Sequence, residues 1–205
     1  MNDGRSPVGV AWTGASGLAY GVRLVDVLLN TGQDVDLVVS DAVEQTAPVE
    51  MGHPVAGLVE RLRTLGPGRL RVFRQDDFTS PLASGSAQGG PFVIIPCTMG
   101  TVGRIAAGTG ETLLLRAADV CLKERRKLIL VPRETPLATH HLENLARLSG
   151  LGALIMPAMP GFYHRPTSPG DLIDFMVQRV CDHLGVQVGL VPRWGEDGRT
   201  PEEPV

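Results

Sequence analysis

The stretch "VGVAWTGASGLAYGVRLVDVLLNTGQDVDLVVS", Val8 to Ser40, decides the fold. It opens with a strand-length run, Val8 to Thr13, breaks at a glycine-rich loop, and resumes with Leu18, Val22, Val25 and Leu29 at helical spacing. The helical pattern stops before Gly32, a suitable C-terminal cap, and a second apolar run follows from Val35 to Ser40. Both runs are apolar on both faces, as strands are when helices cover a parallel sheet from either side. Strand, helix and strand in succession make one right-handed crossover unit.

The same alternation continues along the chain. "FVIIPC" (Phe92 to Cys97), "LILVP" (Leu128 to Pro132) and "ALIMP" (Ala153 to Pro157) read as further buried strands. Leu142, Leu145 and Leu148 mark a helix before Gly150, and Leu172, Phe175, Met176, Val180 and Leu184 another before Gly185, with Ser168 as N-cap and Pro169 in the first helical position. The fold class is α/β, a doubly wound parallel sheet. With 205 residues, 43% of them hydrophobic, one domain is expected. That domain spans 8–190, after a flexible N-terminus over 1–7 and before a C-terminal tail over 191–205, whose "GEDGRTPEEPV" is acidic and rich in Gly and Pro.

Composition narrows the partners. A formal charge of -3 supplies no basic field for nucleic acid, and neither a signal peptide nor a membrane-spanning run is present in the sequence, so a cytoplasmic protein is expected. Cys97, Cys121 and Cys181 are widely spaced and read as reduced thiols. His140 and His141 are adjacent, which on a helix points them about 100° apart, and no metal is expected there.

In a doubly wound sheet, ligands bind beyond the carboxyl ends of the strands. The residues there are "GASG" (Gly14 to Gly17), Ser40 with Asp41, "CTMGT" (Cys97 to Thr101), "RET" (Arg133 to Thr135) and "AMPGFY" (Ala158 to Tyr163). Small, hydroxyl-bearing residues with one fixed positive charge suit a phosphorylated planar ligand. The first loop offers backbone N–H groups at a helix start, with Ser16 adding a hydroxyl, although a tight turn that needs glycine explains it equally. "ASGSAQGG" (Ala83 to Gly90) is expected near the same edge. Arg116 and Lys123, seven apart in an apolar context, and Arg179 on the last helix are costly unless an anion meets them; pairing with Asp or Glu is the alternative. If they converge with Arg133, the pocket holds more than one phosphate.

These residues carry a resemblance. The stretches "TGASGLAYGVRL", "SGS", "PCTMGT", "RAADVCLKERRKLILVPRETPL" and "HLENLARLSGLGALIMPAMPGFYHRP" are similar to those of the flavin prenyltransferases of the UbiX and Pad1 type, over roughly Val8 to Gly185. The resemblance implies a Rossmann-like, single-domain flavoprotein that assembles as a homododecamer with sites at subunit interfaces. It implies binding of reduced FMN and metal-independent transfer of a dimethylallyl group from dimethylallyl monophosphate to N5 and C6 of the flavin. The prenylated FMN would serve a UbiD-type decarboxylase.

Carried onto matching positions, the resemblance implies FMN contacts from Gly14, Ala15, Ser16, Ser40, Thr98, Met99, Gly100, Thr101 and Arg133. Around the prenyl phosphate it places Lys123, Glu134, Tyr163 and Arg179, with Arg116 reaching in from a neighbouring subunit. Glu50 matches a glutamate in proton relay with Ser16, and Trp194 a tryptophan that closes over the site. Trp12 departs from the pattern as a bulky residue in the first strand. Two rivals remain. A flavin-dependent cysteine-type decarboxylase of the same fold would carry P-A-S-A-N-T and P-x-M-N-x-x-M-W, where this chain has "PCTMGT" and "PAMPGFYHRP". A non-catalytic FMN carrier or assembly partner of a decarboxylase would have no need of Lys123, Glu134, Tyr163 and Arg179.

Overall fold

Six strands pair in parallel in the order β3-β2-β1-β4-β5-β6 in a computed structural model that describes residues 6–195. They are β1 (Val8–Trp12), β2 (Val35–Val39), β3 (Leu70–Phe73), β4 (Phe92–Cys97), β5 (Leu128–Pro132) and β6 (Leu154–Ile155). The order reverses between β1 and β4, the switch point of a doubly wound sheet. Every residue of β1, β4 and β5 is buried, which is why these strands show in sequence as unbroken apolar runs.

Helices cover both faces. On one lie α1 (Leu18–Asn30), α2 (Asp41–Met51), α3 (Val55–Arg63) and α7 (Pro169–Leu184), enclosing a core that includes Trp12, Leu24, Leu28, Leu58 and Val177. On the other lie α4 (Met99–Ala107), α5 (Leu113–Lys123) and α6 (Thr139–Gly150), around Phe92, Ile94, Val102, Ala118 and Leu130. An ion pair from Arg23 to Asp174, 2.7 Å, ties α1 to α7. The expected start of α7 forms as a capping box: the Ser168 hydroxyl accepts from the N–H of Asp171, whose carboxylate accepts from the N–H groups of Thr167 and Ser168. Gly185 closes the helix in the left-handed conformation.

Several elements lie outside the sequence expectations. β3 is a half-exposed edge strand with Arg71 in its middle, so it lacks an apolar run; the Arg71 guanidinium, bidentate to the buried Asp36 at 2.6 and 2.7 Å, pins it to β2. α2 contains Pro48 and buries only Val43 and Ala47, too few for a helical stripe. The helix expected to stop before Gly150 runs through it, and Gly152 takes the left-handed conformation instead. Cys97, Cys121 and Cys181 are free and buried; burial pushes the Cys121 thiol up to about 11 and that of Cys181 to about 12. Among the described residues no helix is long and apolar enough to cross a membrane, and no group of His, Cys, Asp and Glu is arranged to hold a metal ion.

Trp12 is fully buried, and its indole Nε1 has no hydrogen-bond partner. The ring fits because α1 presents Gly21 to it. A Cβ at Gly21 would run into the carbonyl oxygen of Ile95 and lie 2.7 Å from Trp12 Nε1. Gly21→Ala is therefore expected to destabilise the protein by about 2 kcal/mol through overpacking, despite the better helix propensity of alanine. Urea unfolding of the variant beside the parent checks this, and an unchanged midpoint would count against the tight Trp12 packing.

Candidate functional site

At the carboxyl edge the ends of β1 and β4 are tied together by one side chain. Thr13 donates its hydroxyl to the carbonyl of Pro96 at 2.7 Å and accepts the N–H of Thr98 at 2.9 Å. Thr98 then caps α4, its oxygen accepting the N–H of Thr101 at 3.0 Å and lying 2.9 Å from the Thr101 hydroxyl. "CTMGT" is thus a strand end and a helix start rather than a loop, and the N–H groups of Met99 and Gly100 begin that helix without intrahelical acceptors.

Over this helix start lies a cavity of about 270 Å³ lined by Thr13, Gly14, Ser40, Asp41, Ala42, Gln75, Thr98, Thr101, Arg104, Thr112, Leu114 and Leu115. Ser40, the N-cap residue of α2, makes no side-chain cap; its Oγ is buried without a hydrogen-bond partner. An orphaned hydroxyl beside two threonines and a helix start is the donor set a phosphate requires. The residues present therefore fit a phosphorylated cofactor.

The first glycine loop is met differently. Gly17, at φ 104°, starts α1, and its N–H and that of Leu18 donate to the Glu50 carboxylate at 2.9 and 3.0 Å. Within one chain the anion at this helix start is thus Glu50, supplied by α2, and the left-handed turn is the backbone reason for glycine. Arg133 donates from Nε to the carbonyl of Ser16 at 2.9 Å. Burial raises the Glu50 carboxyl, but hydrogen bonds from Ser16, Leu18 and Gly17 and the charge of Arg133 outweigh it and hold the carboxyl below its ordinary value. Ser16, Glu50 and Arg133, distant in sequence, are brought together here.

Glu134, beside Arg133, is exposed and accepts the N–H of Thr135 at 3.0 Å. Both line a second cavity of about 270 Å³, mostly apolar, with Leu137, Leu145, Pro157, Ala158 and Met159. Tyr163 and Trp194 meet edge to face with ring centroids 5.2 Å apart, and Tyr163 also meets Phe175 at 5.7 Å. The segment ending in Trp194 is held along α7 by Gln178, which donates to the carbonyl of Val188 and accepts the N–H of Leu190, and by Arg193, which pairs with Asp182 at 2.7 Å. Asp182 also binds Arg179, at 3.0 Å. Residues 1–5, part of the expected flexible N-terminus, and the tail from residue 196 onward lie outside the described residues.

Two expectations need correction. "ASGSAQGG" lies ahead of β4 and so enters at the amino edge, opposite the cavities. Lys123 does not converge with Arg133 in one chain. α5 ends just before β5 begins, whereas Arg133 follows its end, so Lys123 and Arg133 sit a strand length, about 16 Å, apart along β5. Arg116 donates to the Ala83 carbonyl at 3.1 Å and pairs with Asp119 at 2.8 Å, and Lys123 pairs with Glu124. The side chains of Arg116, Lys123 and Arg179 are 37%, 44% and 46% exposed, so their burial is not the cost the sequence suggested, and carboxylates partner them all. Ser84 and Ser86, 3.0 Å apart, lie in the same amino-edge segment that Arg116 and Lys123 touch. Thr13, Gln75, Arg104 and Thr112 line the first cavity without having been singled out in sequence; the signal for Thr13 was its place as the first polar residue after a strand.

The Flavoprotein family model matches residues 1–181. The chain is 42% identical to the flavin prenyltransferase UbiX of Pseudomonas aeruginosa over 207 residues, 98% of this chain and 99% of that protein. Among solved structures, AnUbiX (PadA1) in complex with FMN and dimethylallyl pyrophosphate is similar with a TM-score of 0.85 and 36% identity, over 93% of this chain and 98% of that one. A dodecameric FMN-dependent UbiX-like decarboxylase from Escherichia coli O157:H7 matches with a TM-score of 0.84 and 36% identity, over 92% and 98%.

The depressed Glu50 carboxyl gives a pH prediction. A carboxyl lowered by folding contributes stability above its unfolded value, near 4.3, and loses it as pH falls through the folded value. Glu50→Gln is expected to cost about 1 kcal/mol at pH 7 and to flatten the loss of stability below about pH 4.5. Thermal unfolding of both proteins from pH 7 to pH 3 checks it; parallel curves would deny Glu50 its ionic role.

Proposed function

The chain belongs to the flavin prenyltransferase family of flavoproteins, and on that premise we propose that it joins the dimethylallyl group of dimethylallyl monophosphate to N5 and C6 of reduced FMN. The prenylated product goes to a UbiD-type decarboxylase. The observation that carries this reading is the carboxyl-edge cavity, where the orphaned Ser40 hydroxyl, Thr98, Thr101 and the start of α4 offer donors to a phosphate. Gly14, Ala15, Met99 and Gly100 supply backbone at the same edge, and Arg133 reaches across to the Ser16 loop.

Reduced FMN supplies the nucleophilic positions that accept the prenyl group; the chain supplies charge and proton handling. A prenyl phosphate ionises when the charge developing on the departing group is matched, and in a metal-free site cations and donors must do this. Lys123, Arg116, Arg179 and Tyr163 are assigned that task. Lys123 stands at the amino edge of its own chain, so the reading has it, like Arg116, reach the site of a neighbouring copy in a dodecamer, beside Tyr163, Trp194 and Arg179. Trp194 closes over the prenyl chain from beside Tyr163. Glu134, at the rim of the apolar cavity, carries the proton released as the second bond forms. Glu50, whose carboxyl is held below its ordinary value against burial by the Ser16 hydroxyl, the N–H groups of Leu18 and Gly17 and Arg133, acts in proton relay with Ser16. Three buried, protonated thiols fit a reducing cytoplasm.

The test is anaerobic incubation with reduced FMN and dimethylallyl monophosphate, then the pyrophosphate, with the mass of the extracted flavin as readout. A flavin heavier by one C5H8 unit is expected; bound, unmodified FMN with both donors would favour the carrier. Glu134→Gln is expected to bind FMN as the parent does and to slow single-turnover prenyl transfer by about a hundredfold. An unchanged rate would remove Glu134 from the chemistry.

A further inference from the structure

Arg104 takes no part in the roles assigned so far, yet it is the cation among the residues lining the first cavity. It lies in the last turn of α4, and its side chain leans toward the helix N-terminus, as helical side chains do. Its Nε donates to the carbonyl of Gly100 at 3.3 Å, which carries the guanidinium toward the first turn, where Thr98 and Thr101 present their hydroxyls. A cation set near the positive pole of a helix is disfavoured unless an anion sits between them. The carboxylates nearby do not supply one at close range: Glu111 stands 4.0 Å away, at the limit of an ion pair, and Asp41 lines the same cavity from the start of α2. Asp41 also repels an anion, so a dianion entering beside it needs a compensating charge.

We infer that Arg104 is a further binding residue of this site, a rim clamp whose guanidinium nitrogens beyond Nε take the terminal phosphate of the flavin nucleotide. The inference rests on the reading of this cavity as the FMN site and adds the source of its preference for the phosphorylated flavin. The neutral donors at Ser40, Thr98 and Thr101 orient the phosphate, while Arg104 supplies the charge that distinguishes FMN from riboflavin.

Titration of the full-length protein with oxidised FMN and with riboflavin, followed by flavin fluorescence at low and high salt, tests it. The parent is expected to prefer FMN, with the preference falling as salt rises. R104Q is expected to weaken FMN by about tenfold and leave riboflavin within about twofold, and R104K to keep most of the preference. Arg104 is half-exposed and off the core, so all three proteins fold alike. Equal loss of both flavins in R104Q, no loss of either, or loss in R104K as large as in R104Q would overturn the clamp while the FMN site stands. A parent that binds FMN no better than riboflavin would overturn the placement of the phosphate, and the clamp with it.

Discussion

A sheet whose strands all run parallel delivers every carboxyl end to one edge, and the rest of this structure follows from that constraint. The residue after each strand has lost its ladder partners, so its backbone and side chain face outward as a set. Here Thr13, Ser40 and Thr98, after β1, β2 and β4, are small and hydroxyl-bearing. Thr13 couples the two strands on either side of the switch point, and through Thr98 it fixes where α4 starts. One threonine thus sets both the fork in the sheet and the donors beside it.

The two helix starts at this edge have opposite fates. At α1 the exposed N–H groups are taken by Glu50, a carboxylate the chain supplies from α2, and the charge of Arg133 helps to hold it ionised. At α4 the first N–H groups stay open beside an orphaned hydroxyl. A helix start already neutralised by a carboxylate repels a second anion, so a phosphate is directed to α4, and Arg104 leans toward the same place. The cations divide in the same way. Arg133 belongs to the carboxyl edge and Lys123 to the amino edge, with Arg116 between them on α5; Arg116 and Lys123 each have a carboxylate beside them that keeps them from being isolated charges.

Much of this was legible in the residues. Runs such as "FVIIPC" and "LILVP" are apolar throughout because both faces of the central strands are covered, and Ser168, Pro169 and Gly185 bracket the last helix because caps are local chemistry. β3 escaped detection because an edge strand exposes alternate residues and its arginine is balanced by Asp36 on a different strand, a pairing with no local trace. α2 escaped because Pro48 and a sparse buried stripe erase its period, although it carries both Ser40 at its start and Glu50 near its end. The edge that "ASGSAQGG" occupies has no signature in the residues, since small polar residues look alike before a strand and after it.

The sequence by itself determined the alternation of strand and helix, the parallel sheet it implies, and the edge where hydroxyls and glycines collect, because periodicity, capping and apolar runs are properties of neighbours along the chain. Only the tertiary structure decided which of those groups meet. Glu50 finds Gly17 and Leu18 from more than thirty residues away, Arg133 finds Ser16 from across the sheet, and Arg104 comes to line one cavity with Ser40. Such encounters are set by strand order and helix placement, and a chain read in one dimension carries no measure of the distance between them.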